Sequence, residues 1–142
     1  MWLSLDNQHI AAGYFAQAEA RLKTARSALR GENFAYAIRQ SQEAVELGLK
    51  AALLYAAIDV PKVHDVGPFL LVQKGRFPLG FRRAIPWMVQ TSRRLRSERE
   101  RSMYGDEAIG LPADKLYTRA DAVEATKDAA YVVRTVRRLL SD

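Results

Sequence analysis

The sequence predicts an all-α fold, an antiparallel helical bundle of four long helices plus one short helix. Apolar residues recur at alternating spacings of four and three in three separate stretches, which places them on one face of a helix. No stretch is convincing as a β-strand, and the predicted connections between helices are short. The chain has 142 residues, the size of one ordinary domain, so we expect a single domain over residues 1–142.

The first two predicted helices form a pair joined by a short break. Helix 1 covers about residues 6–30, and its apolar stripe consists of Ala11, Phe15, Ala18, Leu22, Ala25 and Leu29. Gly31 follows, at a position where helix ends favour glycine. Asn33 can cap a second helix that reaches about Ile58 and is stopped by Asp59-Val60-Pro61. The second half of this helix is apolar nearly all round, so we expect it at the centre of the bundle.

The rest of the chain carries the short helix and two long ones. The short helix lies near residues 66–74, and the next covers about residues 79–103, with Pro86 in its first turns or at a kink. The inner face of this long helix consists of Phe81, Ile85, Met88, Ser92, Leu95 and Arg99. Residues 105–116 are predicted to be irregular. Thr118 then caps the last helix, whose stripe consists of Ala122, Thr126, Ala129, Val133, Val136 and Leu140.

The basic residues are concentrated in one segment of the chain. The formal net charge is +6, from 22 Lys and Arg against 16 Asp and Glu. Residues 74–101 contain nine basic and two acidic residues, while the remainder contains thirteen basic and fourteen acidic ones. This segment is therefore the first place to look for function.

Several classes of protein are excluded by what the sequence lacks. There is no cysteine, which excludes disulfides and thiolate metal sites. The two histidines, His9 and His64, are not spaced as a helical ligand pair, so we predict no metal site and no cofactor. The longest apolar run, residues 51–58, is far short of a membrane span, and no signal peptide is apparent. We expect a cytoplasmic protein with no membrane partner.

Two groups of polar residues precede the basic segment in the sequence. The second helix carries four charged residues along one line: Arg39, Glu43, Glu46 and Lys50. They either form ordinary i, i+4 ion pairs that stabilise the helix or line a polar groove that binds a ligand. His64 and Asp65 come just before the short helix. Such a pair is either a cap or packed loop residue, which we favour, or a base or ligand.

The third group is the arginine-rich run of residues 93–101. Arginine suits phosphate because its guanidinium presents a planar fork to the phosphate oxygens. Arg99 falls on the inner helix face, one turn beyond Leu95, so it must find a partner or line a cleft. Asp106 or Glu107 is the expected partner if the role is structural, and a phosphate is the functional alternative.

The order of these motifs resembles HEPN domains (higher eukaryotes and prokaryotes nucleotide-binding). Residues 35–53 resemble the second helix of that family. Its Gln-x-x-Glu pattern is matched by Gln40 with Glu43, or by Gln42 with a slight shift, and is followed by Lys50-Ala51 and by His64-Asp65. The Arg-x-x-Tyr-Gly-Asp of residues 101–106 and the helix start at residues 117–122 also fit. The resemblance spans roughly residues 8–140.

The resemblance implies a small helical bundle, commonly dimeric, and two kinds of activity. Many HEPN proteins are encoded with a minimal nucleotidyltransferase in a two-component or toxin–antitoxin-like pair, and many others are metal-independent ribonucleases with an Arg-x4–6-His motif. This sequence departs from the ribonuclease motif. With Arg99 as the arginine, the histidine positions hold Tyr104, Gly105 and Asp106. The family's motif often has a tyrosine two residues after the histidine, and with Tyr104 in that role the histidine position holds Ser102. The general acid-base group is missing.

We therefore expect nucleotide or RNA phosphate binding by an arginine-rich helix, in a homodimer and with a nucleotidyltransferase partner. The expected binding residues are Arg93, Arg96, Arg99, Arg101, Tyr104, Asp106 and Lys50. One alternative is a ribonuclease toxin, for which the catalytic candidates are Arg99, Tyr104 and His64. The other alternative is a structural interaction module whose arginines pair locally with Glu98 and Glu100. Trp87 and Phe77 are either interface aromatics or part of the bundle core.

Overall fold

Six α-helices make up most of the chain in a computed structural model that describes residues 2–59 and 65–141. No β-strand occurs within these ranges, apart from one isolated bridge between Asp106 and Leu111. The helices are α1 (Trp2–Arg30), α2 (Phe34–Tyr55), α3 (Gly67–Val72), α4 (Leu79–Ser97), α5 (Arg99–Tyr104) and α6 (Arg119–Ser141). The predicted all-α fold is confirmed, and the four long helices are α1, α2, α4 and α6.

The loop between α1 and α2 is built as the sequence predicts. The Gly31 amide closes the end of α1 by donating to the Ser27 carbonyl at 3.0 Å. The Asn33 side-chain oxygen accepts a hydrogen bond from the Tyr36 amide at 3.3 Å and so caps α2. α2 ends at Tyr55, before the predicted Ile58, because Ala57 takes a left-handed φ of 58° and turns the chain.

The centre of the bundle is α2, as predicted. Val45, Leu49 and Leu53 are fully buried, and α2 packs against α1, α4, α5 and α6. A methyl group at Gly48 would meet Ala18 of α1 and Val132 of α6 at 3.9 Å, so the three backbones approach closely at this level. Burial of each of these aliphatic side chains contributes about 1.5–3 kcal/mol, which makes this three-helix contact the main source of stability.

The predicted long helix over residues 79–103 is divided in the structure. α4 ends at Ser97, Glu98 forms the junction, and a second short helix, α5, begins at Arg99. Pro86 lies inside α4, which continues through it. No glycine or proline marks the junction, so local pattern could not predict it. The Glu98 carboxylate instead accepts a hydrogen bond from the Tyr117 hydroxyl at 2.6 Å, a contact between residues nineteen positions apart.

The irregular segment between α5 and α6 returns the chain to the bundle. Gly105 has a φ of 84°, and a Cβ there would lie 2.4 Å from the Leu111 carbonyl oxygen, so only glycine fits. A single turn of 3₁₀ helix covers Ala113–Lys115. α6 then starts at a reciprocal cap: the Thr118 amide donates to Asp121 at 2.9 Å, and the Asp121 amide donates to the Thr118 hydroxyl at 3.2 Å.

Candidate functional site

A cleft of about 290 Å³ opens where the end of α4, the start of α6 and the segment before α6 meet α2. Its floor is apolar, and its rim carries arginine, carboxylate and tyrosine side chains. The lining consists of Ile38, Arg94, Leu95, Glu98, Arg101, Leu116, Tyr117, Asp121, Glu124 and Ala125. The cleft therefore lies at the α4–α5 junction, inside the basic segment that the sequence identifies.

A chain of polar contacts holds this junction in place. Tyr117 donates its hydroxyl hydrogen to Glu98, and Arg101 lies 3.4 Å from the same Glu98 oxygen and 3.3 Å from Asp106. Burial raises the pKa of the Tyr117 hydroxyl well above its ordinary value, and the hydrogen bond to Glu98 raises it further. Tyr117 is therefore a neutral donor at physiological pH. Neither Tyr117 nor Glu98 is predicted as a site residue, because nothing in the local sequence links them.

The arginines that line the cleft are already neutralised. Arg94 forms an ion pair with Asp128, and Arg101 is held between Glu98 and Asp106. Asp121 and Glu124 add two further carboxylates to the lining. A phosphate that entered the cleft would compete with these acids for both guanidinium groups. The cleft alone is therefore a poor anion site.

Three arginines of the basic segment that do not line the cleft differ from Arg94 and Arg101. The guanidinium groups of Arg93, Arg96 and Arg99 form no hydrogen bond or ion pair with any residue that the structure describes. Arg93 is exposed, and Arg96 and Arg99 are partly buried. Nη1 of Arg96 is buried and has no hydrogen-bond partner within the described ranges. An unpaired buried donor is costly in a native fold and requires an explanation.

The expected structural partner of Arg99 pairs with a different arginine. Asp106 lies 3.3 Å from Arg101, and its other oxygen accepts the Ala108 amide at 3.1 Å. Glu107 is exposed and forms no ion pair among the described side chains. Of the two alternatives for Arg99, the structural one, a pair with Asp106 or Glu107, is therefore not formed among the described side chains.

The remaining predicted residues are spread around this region. Tyr104 is 72% exposed and lines a separate shallow hollow with Arg101 and Asp106. Lys50 lies twelve residues beyond Ile38 on α2, about 18 Å along the axis, and does not line the cleft. His64 lies outside the described residues. Its neighbour Asp65 accepts the Gly67 amide at 3.0 Å, so this carboxylate holds the turn that leads into α3.

The charged line on α2 is in part ordinary helix support. Glu43 lies 3.6 Å from Arg39, the predicted i, i+4 pair, and also pairs with Arg21 at 3.4 Å. Oε1 of Glu46 and Oε1 of Gln42 are buried without a hydrogen-bond partner in the part of the chain that the structure describes. The sequence gives no signal for this difference between Glu43 and Glu46, because both occupy the same helix face.

Three further observations bear on the class of protein. Within the described ranges, no cluster of three or more His, Asp or Glu side chains could hold a metal ion. No described helix is long and apolar enough to cross a membrane. Phe77 is buried in the core, and Trp87 is 39% exposed, so only the second aromatic is available at the surface.

The fold defines a small all-helical bundle, and the comparisons place it in a family. The HEPN domain model matches residues 11–139, so the chain belongs to the HEPN family. The structure is similar to the crystal structure of an archaeal HEPN homologue, with a TM-score of 0.67 and 23% sequence identity over 92% of this chain and 97% of that one. At this identity the likeness concerns the fold. No curated protein matches the chain.

Proposed function

We propose that this HEPN domain binds nucleotide or RNA phosphate through Arg93, Arg96 and Arg99, where α4 meets α5. The observation that carries the proposal is that these three arginines lack carboxylate partners among the described residues, whereas Arg94 and Arg101 beside them are ion-paired. Because Nη1 of Arg96 is buried, its guanidinium has to turn outward before a phosphate can supply the acceptor that this nitrogen lacks.

The other predicted binding residues contribute less to the proposed phosphate site. Arg101 is held by two carboxylates, so a phosphate gains less from it than from a free guanidinium. Tyr104, next to Arg101 in the shallow hollow, is placed to contact a sugar or base. Asp106 positions Arg101 and does not contact the anion. Lys50 belongs to the proposed site only if the ligand extends along α2.

We assign binding and not cleavage to this site. The ribonuclease alternative needs a proton-transfer group beside Arg99. Only the position of Tyr104 in the sequence favours it as that group. Cleavage of labelled RNA that survives EDTA and disappears in the Arg99→Ala variant would establish the ribonuclease instead.

The proposed setting is a homodimer that acts with a nucleotidyltransferase. Both features are expected from the resemblance to the HEPN family, since its members are commonly dimeric and many are encoded with a nucleotidyltransferase. Light scattering on the purified protein measures the oligomeric state. Co-purification with a nucleotidyltransferase encoded beside this chain tests the partner, and the absence of such a neighbour would remove it from the proposal.

The phosphate site is tested by the salt dependence of binding. For a labelled 16-nucleotide oligouridylate, the logarithm of the affinity should fall linearly with the logarithm of salt, with a slope of about −0.7 for each phosphate contact. In the double variant Arg96→Gln/Arg99→Gln, the slope should become shallower by about 1.4. The control Arg26→Gln/Arg30→Gln removes the same charge from α1. Equal slopes in both variants would refute the assignment.

A further inference from the structure

A second basic surface lies at the other end of α4, away from the α4–α5 junction. α4 runs antiparallel to α6, and the two helices enclose a hollow of about 330 Å³ lined by Phe81 and Ala84 on one side and by Tyr131, Thr135 and Arg138 on the other. This end of the molecule is distinct from the cleft, since no residue lines both.

Two exposed aromatic rings stand together on this surface. Trp87 is 39% exposed and Tyr131 is 42% exposed, and their ring centroids lie 4.8 Å apart in an edge-to-face contact. The guanidinium of Arg134 lies over the Tyr131 ring, 5.8 Å from its centroid. Large aromatic rings that keep open faces beside arginines form the kind of platform on which nucleobases stack.

Arginine is the predominant charged residue around these rings. Residues 79–97 and 129–141 contain eight arginines and no aspartate or glutamate. Two acids outside these ranges pair with two of the eight: Asp128, one turn before Tyr131 on α6, pairs with Arg94, and Glu19 pairs with Arg137. The side chains that remain without a carboxylate among the described residues include Arg83, Arg134 and Arg138. We call Trp87, Tyr131, Arg83, Arg134 and Arg138 the α4–α6 surface.

A second copy of the chain fits this surface poorly. In a two-fold dimer the same patch meets itself, so the arginines of one copy would face those of the other without a carboxylate to separate them. A polyanion meets no such repulsion. Aromatic faces require unstacked bases, which RNA presents in its single-stranded loops and ends, whereas DNA is mostly duplex.

We propose that the α4–α6 surface binds single-stranded RNA, with a base stacked on Trp87 and phosphates held by Arg134 and Arg138. The inference rests on the proposed function only in taking RNA as the ligand, because it uses different residues. Trp87 and Arg96 are nine positions apart on α4, a rise of about 13 Å, and at about 3.6 residues per turn they lie on opposite faces of the helix. An RNA strand that contacts both sites therefore has to pass around α4.

Stacking is tested by fluorescence and by substitution of Trp87. Trp2 and Trp87 are the two tryptophans of the chain, so in the Trp2→Phe variant all tryptophan fluorescence comes from Trp87. A 16-nucleotide oligouridylate should quench its emission. Trp87→Ala should weaken binding about 5-fold or more, and Trp87→Phe should retain most of the affinity. The control Tyr36→Ala removes an aromatic ring of similar exposure, 38%, from α2 and should leave binding unchanged.

The arginines and the strand preference are tested with the same probe. Arg134→Gln/Arg138→Gln should make the salt slope shallower, whereas Arg26→Gln/Arg30→Gln should not. A duplex of equal length should be insensitive to Trp87→Ala. Circular dichroism melting of each variant separates loss of binding from loss of fold, and Trp87→Phe provides a second test if Trp87→Ala is unfolded.

Failure of this inference is distinguishable from failure of the proposed function. Unchanged RNA affinity in both Trp87→Ala and Arg134→Gln/Arg138→Gln, with a loss in Arg96→Gln/Arg99→Gln, would overturn the inference and leave the proposed function standing. The reverse pattern would support the α4–α6 surface and remove the α4–α5 site. A fall in oligomer mass caused by Trp87→Ala would make the surface a protein interface, and preferential binding of the matching DNA strand would overturn the choice of RNA.

Discussion

The hydrogen bond from Tyr117 to Glu98 holds the α4–α5 junction together. Tyr117→Phe should lower the free energy of unfolding by about 1.5–3 kcal/mol, the range for a hydrogen bond to a charged group, as measured by urea denaturation. Tyr36→Phe is the matched control, because the Tyr36 side chain is exposed. An equal loss in both variants would show that the Glu98 contact contributes nothing specific.

The raised pKa of Tyr117 gives this residue a pH signature. In the unfolded chain tyrosine ionises near pH 10, whereas the folded protein keeps Tyr117 protonated to higher pH. The unfolded state then binds fewer protons, so the contribution of Tyr117 is fully present below about pH 10 and is lost as the pH rises further. The free energy of unfolding should fall less steeply between about pH 10 and 11 in Tyr117→Phe. A slope identical to that of the parent protein would contradict this.

Arg96 shows how stability and binding can oppose each other in one side chain. Replacement of Arg96 by methionine removes the buried unpaired nitrogen and keeps an apolar chain of similar length. The free energy of unfolding should rise by about 1 kcal/mol, while the affinity for oligouridylate falls. Arg94→Met, which breaks the pair with Asp128, should change stability by about 1 kcal/mol or less in the opposite direction. A destabilised Arg96→Met variant would refute this account.

At the scale of the elements, the Gly105 turn fixes the path from α5 to α6. Gly105→Ala should lower the free energy of unfolding by more than about 2 kcal/mol, since a Cβ would clash with the Leu111 carbonyl in addition to the strain of a positive φ. Gly110 has a φ of 70° and open space around it, so Gly110→Ala isolates the strain, at about 1 kcal/mol. Similar urea midpoints for the two variants would exclude the clash.

The elements also show which features the sequence could predict. Helix periodicity and capping residues predicted α1, α2 and α6 closely, because these signals are local and the Asn33 and Thr118 caps form as expected. The junction at Glu98 depends on Tyr117, which packs against it only after the chain has folded back. The sequence left the partner of Arg99 open for the same reason: which arginine Asp106 reaches depends on the folded path of the chain, and it reaches Arg101.

At the scale of the whole molecule, the positive charge is divided between two surfaces. The acids of α6 and of the segment before it neutralise the arginines at the cleft, and the second half of α6 has none to offer. The arginines without a carboxylate partner among the described residues form two groups, one at the α4–α5 junction and one on the α4–α6 surface, and the pair of Arg94 with Asp128 belongs to neither. This distribution permits a long polyanion to contact both ends of α4 without entering the cleft.

The last prediction concerns the coupling between these two ends. Substitutions more than about 7–10 Å apart that share no partner usually have additive free energies. For a 16-nucleotide strand that spans both surfaces, the fold-losses of Arg96→Gln/Arg99→Gln and Trp87→Ala should therefore multiply in the triple variant. A 4-nucleotide strand can occupy only one surface at a time, so each parent variant still binds it through the intact surface. The triple variant lacks both surfaces, so its fold-loss should exceed the product of the two parent fold-losses. Fluorescence anisotropy of the four proteins with both strands measures the cycle. With the long strand, a triple-variant loss larger than the product of the two parent losses would mean that the two surfaces are not bound together.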